Sequence, residues 1–177
     1  MMDIKKQLLI ENSKANWQCV SVYVGSDPRR FSELMDCFFS KDVRIVQRSS
    51  QPVGAIGAKH PHLLLPYLQP LLDYLNQNPI DAVQRNVMRA LQYLDIPEEF
   101  EGPYFDQALV YLKSPHSAIA VKAFAMTVLA NICEKYPELS HEVIAQLEIL
   151  IREEVSKGVT ARGKKELKKL RKLVKLN

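Results

Sequence analysis

A chain of 177 residues that is 47% hydrophobic and 25% charged has the balance of an ordinary globular protein, which excludes the disordered and fibrous classes. At that length it can bury roughly 70% of its unfolded surface. The formal net charge of +4 is uneven, because ten Lys or Arg and three Glu lie from Arg152 onward and the rest carries a small excess of acids. No apolar run approaches the ~20 residues of a membrane span. Leu8-Leu9-Ile10 is followed at once by Glu11-Asn12, so neither a signal peptide nor a membrane partner is expected. Cys19, Cys37 and Cys133 are an odd number without paired spacing, which argues for a reducing cytoplasm rather than a disulfide framework.

The first predicted helices run from Asp3 to about Asn12 and from Ser13 to Val24, the second with a stripe of Cys19, Val20, Tyr23 and Val24. Residues 20–24 are also β-branched enough for a strand, but a lone strand finds no partner elsewhere, so helix is preferred. Asp27-Pro28 has the form of an N-cap and first residue for a helix carrying Phe31, Leu34, Met35 and Phe38. After Ser40-Lys41-Asp42 a helix is predicted from Val43 to Lys59. Pro52 should kink it, with the Ser49 and Ser50 hydroxyls bonding carbonyls left without a partner.

Residues 61–97 read as two short helices joined by a turn. Leu64, Leu68, Leu71 and Leu75 form an apolar stripe of helical period in the first. Gln77-Asn78-Pro79 breaks it, and Val83, Val87, Ala90 and Leu94 repeat the spacing before Ile96-Pro97. Residues 97–103 read as an acidic connector, then Tyr104 to Leu112 as a helix and Lys113 to His116 as a turn. Ser117 to Lys135 follows as a long helix with Val121, Ala125, Val128 and Ile132 in line. Glu138 to Glu154 is predicted helical on Val143, Leu147, Leu150 and Ile151. After a turn at Ser156-Lys157-Gly158, the last helix carries Gly163, Leu167, Leu170 and Val174.

The second-helix stripes begin at Val46, Val83, Val121 and Gly163, steps of 37, 38 and 42 residues. Four helical hairpins at a period near 40 mark an α-solenoid, in which each unit buries its face against its neighbours.

Leu63-Leu64-Leu65-Pro66-Tyr67-Leu68 on one helix, with Ala82-Val83-Gln84-Arg85-Asn86-Val87-Met88-Arg89-Ala90-Leu91 on the next, resembles a HEAT repeat. The resemblance extends more loosely over 28–60, 101–136 and 138–174, and the whole is similar to short bacterial HEAT-like, armadillo-type proteins. It implies an all-α, right-handed α-α superhelix of about four helical hairpins plus N-terminal helices. As a single domain over 1–177, its units would be 1–27, 28–60, 61–97, 101–137 and a basic cap at 138–177. Two positions depart from the family pattern: Gln84 stands between Val83 and Arg85, and Lys122 stands where arginine is usual.

No motif for catalysis, metal or cofactor emerges. His141-Glu142 starts like a zincin helix, but Ala145 stands where the second histidine is needed. His60 and His62 flank a proline with no third ligand nearby. Gly54 and Gly57 lack the Gly-Lys-Ser/Thr ending of a phosphate loop and suit close helix packing instead. No small-molecule substrate is evident, and a non-enzymatic scaffold holding a protein or peptide on its concave side is expected. Arg48, Arg85 and Lys165, in a row that Ala123 interrupts, stand two positions past their stripe starts, about 200° from the buried side. With Arg44 and Arg89 a turn away, and Lys122 at the family's arginine position, they are candidates to grip a carboxylate-rich partner. Pairing with acids such as Asp42 or Asp81 is an equal alternative. Lys164, Lys168, Lys169, Arg171, Lys172 and Lys175 surround the last leucine stripe. They read either as the polar side of an end cap or as a patch for nucleic-acid phosphates, the second being the alternative function.

Overall fold

The computed structural model describes residues 2–176. They form ten α-helices and two short 3-10 segments, with no strand among the described residues. Two compact units arise, residues 1–95 and 96–177.

In the first unit α1 (Ile4–Ile10) and α2 (Lys14–Val24) are capped by Asp3 and Ser13, whose side chains accept the N–H groups of Lys6 and Asn16. Such caps satisfy donors that the helix itself leaves unpaired. Residues 20–24 are helical, as preferred. The buried face of α2 is Asn16, Val20 and Val24, while Cys19 is exposed, which corrects the predicted stripe. Asn16 supplies the reason: its Nδ2 donates to the carbonyls of Gln7 (2.9 Å) and Glu11 (2.7 Å), and its Oδ1 accepts from Gln7 Nε2 (2.7 Å). These bonds latch α2 to α1 and turn a polar residue inward. Helix α3 (Pro28–Phe38) starts as expected, with the Asp27 carboxylate accepting from Arg29 and Arg30 N–H. Phe31, Leu34, Met35 and Phe38 are all buried.

Helix α4 (Val43–Lys59) has the predicted bounds and runs through Pro52 unbroken. The Ser49 and Ser50 hydroxyls donate to the Val46 carbonyl, at 3.1 and 2.6 Å. They do not reach the Arg48 carbonyl that Pro52 deprives of its donor. A 3-10 segment (Pro61–Tyr67) leads into α5 (Leu68–Asn76), and the turn after it carries Asn78 at φ 51° before α6 (Asp81–Leu91). Leu64, Leu68, Leu71, Leu75, Val83, Val87 and Ala90 are buried as the stripes require. Gln84, the departure from the repeat pattern, is buried too. Its Nε2 donates to Pro79 O (2.6 Å) and Asn78 Oδ1 (3.1 Å), tying the turn to the helix that follows.

Helix α4 packs against α1, α2, α3 and most extensively α6. Close approach to α6 depends on two glycines. A Cβ on Gly54 would lie 2.7 Å from Asn86 side-chain atoms and 2.9 Å from its carbonyl, and one on Gly57 would lie 2.8 Å from Ala90 Cβ.

In the second unit α7 (Glu98–Lys113) begins at the residues predicted as a connector. Glu98, Glu99 and Glu101 sit in its first turn, where negative charge opposes the positive helix end. Pro103 is accommodated within the helix. Glu101 is 3% exposed and accepts from Lys135 Nζ at 2.5 Å and Tyr136 Oη at 2.7 Å, so this stretch is anchored. Helix α8 (Ile119–Lys135) is buried nearly all round, including Val121, Ala125, Val128 and Ile132. A 3-10 segment (Pro137–Leu139), α9 (Ser140–Arg152) and α10 (Lys157–Leu176) follow. The predicted turn at 156–158 is shifted: Glu154 takes φ 47°, and Lys157 already opens α10. No helix among the described residues is long and apolar enough to cross a membrane.

Cys37 and Cys133 are buried, and burial raises both thiol pKa values, that of Cys133 to about 11. Since the thiolate is the attacking species, an aromatic disulfide reagent at neutral pH should titrate one thiol per native chain, Cys19, and all three in denaturant. Three fast thiols in the native protein would contradict this packing.

Candidate functional site

The junction of α1 and α2 faces the exposed sides of α4 and α6, and a cleft of about 280 Å³ lies between them. Arg48 and Gln51 come from α4, Arg85 from α6, and Lys14 and Trp17 from α2. Glu11 supplies the one carboxylate among its lining residues. Arg48 is half-buried, and its Nη1 donates to the Leu8 carbonyl at 2.9 Å, which fixes the guanidinium from behind. Arg85 is exposed and leans on Gln51, donating to its Oε1 at 3.3 Å. Each of these bonds occupies one N–H, and a guanidinium carries five. Both arginines line one opening, where Lys14, Arg48 and Arg85 outnumber Glu11 and leave an excess of positive charge.

Trp17 also lines a second, more apolar cleft of about 530 Å³ with Val22, Ala55, Ile56 and His60. Val22 is 82% exposed there. A basic recess and a more apolar recess thus share one indole. His60 and His62 stand with ring centroids 6.3 Å apart. Among the described residues no group of three His, Cys, Asp or Glu is placed to hold a metal ion.

A model of the HEAT repeat domain matches residues 4–170. The chain belongs to the HEAT repeat family. HEAT repeat proteins are generally interaction scaffolds rather than enzymes. No curated protein and no solved structure matches this chain.

Of the basic residues singled out in the sequence of this HEAT protein, the structure brings Arg48 and Arg85 into one cleft. Arg44 is exposed on α4 and Arg89 half-buried on α6, both outside the lining. Lys122 is 5% exposed, with its Nζ 3.4 Å from the Leu112 carbonyl, and desolvation lowers its pKa. Buried in this way, it is not a surface residue open to a partner. Lys165 is exposed on α10. Trp17, Gln51 and the α1–α2 junction were not singled out as binding residues, because nothing local in the sequence ties residues 8–17 to residues 48 and 85.

Of the last cluster, Lys169 is half-buried and bonds Glu134 Oε1 and Asn131 Oδ1, each at 3.0 Å, and Arg171 pairs with Glu148 at 2.8 Å. Lys164, Lys168, Lys172 and Lys175 are exposed.

Proposed function

We propose that this chain is a non-enzymatic scaffold that binds an extended peptide segment of a partner protein across α2, α4 and α6. Arg48 and Arg85 would take an acidic side chain, and the apolar cleft beyond Trp17 a neighbouring aliphatic or aromatic one. The observation that carries the reading is the convergence of Arg48 and Arg85 on one cleft. Planar guanidinium groups match carboxylates in a fork geometry that lysine lacks.

Anisotropy titration with labelled hexapeptides tests it: one alternating Glu and Leu, one all-Glu, one alternating Lys and Leu. The Glu-Leu peptide should bind tightest and the Lys-Leu peptide not at all. Replacing Arg48 and Arg85 by Gln should weaken the Glu-Leu peptide roughly 10-fold or more, as expected for lost charge-assisted hydrogen bonds. Equal binding of acidic and basic peptides, or an unaffected double variant with unchanged helical content, would overturn the reading.

A further inference from the structure

The basic face of α10 belongs to the second unit and shares no lining residue with the peptide cleft. Lys164, Lys168, Lys172 and Lys175 recur at steps of four, four and three residues, so they share one helix face. They span about 16 Å at the usual rise per residue. With Leu167 and Arg171 they border a shallow depression of about 360 Å³. The only acid on α10 is Glu166, which is 2% exposed; it accepts from Thr127 Oγ1 at 2.9 Å and lies 3.9 Å from Arg162.

Two neighbouring cations are neutralised, Lys169 by Glu134 and Arg171 by Glu148. Among the described residues the four lysines have no such partner. A helix end that only had to be wetted would mix Glu with Lys, since like charges four residues apart destabilise a helix. This face is of a single sign.

We propose that this strip binds the phosphate backbone of a nucleic-acid duplex, independently of sequence. Lysine is a point charge suited to phosphate, and carboxylate-rich peptides favour arginine forks. A membrane surface would need apolar side chains to insert beside the cations. On α10, Val159, Leu167 and Leu170 are instead buried where the helix packs on α8 and α9, and Leu173 and Val174 are half-buried. Single strands are held by stacking on aromatic side chains, and α10 has none.

Anisotropy of a labelled 20-base-pair DNA duplex against the full chain is the test. Four neutralised phosphates give a log–log salt slope of about −3.6, an affinity loss of roughly 100-fold between 50 and 200 mM salt. Two unrelated duplexes should bind alike. Changing the four lysines to Gln should abolish binding while helicity and Glu-Leu peptide binding persist, so this proposal can fail without the peptide reading failing. No duplex binding by the wild type at ~50 mM salt would overturn it. So would a quadruple variant that binds like the wild type, or phosphatidylserine vesicles that bind more tightly than the duplex.

Discussion

Replacing Gly54 by Leu should lower the thermal midpoint by roughly 10 °C. The ideal Cβ at this position already meets the Asn86 carbonyl at 2.9 Å, so α4 and α6 must separate before any longer side chain fits. Overpacking of this kind costs about 1–3 kcal/mol and at times more, and each kcal/mol moves the midpoint of a chain this size by about 2–4 °C. The two helices also carry Arg48 and Arg85, so the acidic-peptide site should open with them. Gly54→Ala separates packing from propensity. Alanine is the better helix former by about 1 kcal/mol, yet here the clash should leave a net loss. Gly102 lies in α7 with nothing within 4 Å of its would-be Cβ; Gly102→Ala should raise the midpoint. Calorimetry of the three variants checks the set, and a stable Gly54→Leu protein would mean that α4 and α6 are not in close contact.

Glu166→Lys should cost as much. The carboxylate is buried between α10 and α8, where Thr127 donates to it and Arg162 Nη1 donates to Thr127 Oγ1 at 2.8 Å. An amine in its place is a buried cation beside a guanidinium, the situation that costs about 3–5 kcal/mol when an ion pair is broken from one side. The midpoint should fall by roughly 10 °C and α10 should lose amide protection. Glu166→Gln keeps the shape and an acceptor for Thr127, and should lose much less. Similar midpoints for the two variants would show that the buried charge is not what seats α10.

Helices were legible in the sequence where a single physical signal decided them. The stripe of Leu64, Leu68, Leu71 and Leu75 is wholly buried, and Asp27-Pro28 opens α3 by the expected cap. The reading slipped where two signals competed. Acids and Pro103 suggested a connector at 97–103, but a tertiary anchor, Glu101 on Lys135 and Tyr136, makes the stretch helical. Cys19 looked apolar enough to be buried, but the bonds of Asn16 rotate α2 away from it. The binding cleft was only half legible. Helical phase pointed to Arg48 and Arg85, whereas Trp17 joins them through a packing of α2 on α4 that no local pattern announces. Lys122, singled out by its place at the family's arginine position, lies buried beside the end of α7.

Trp17 is the one tryptophan of the chain, and it lines both recesses, so its emission reports directly on whether the cleft is occupied. Titration with the Glu-Leu hexapeptide at low salt should give a saturable emission change in the wild type and none in Arg48→Gln/Arg85→Gln. The same change in both proteins, or none in either, would contradict an acidic segment seated between the two arginines.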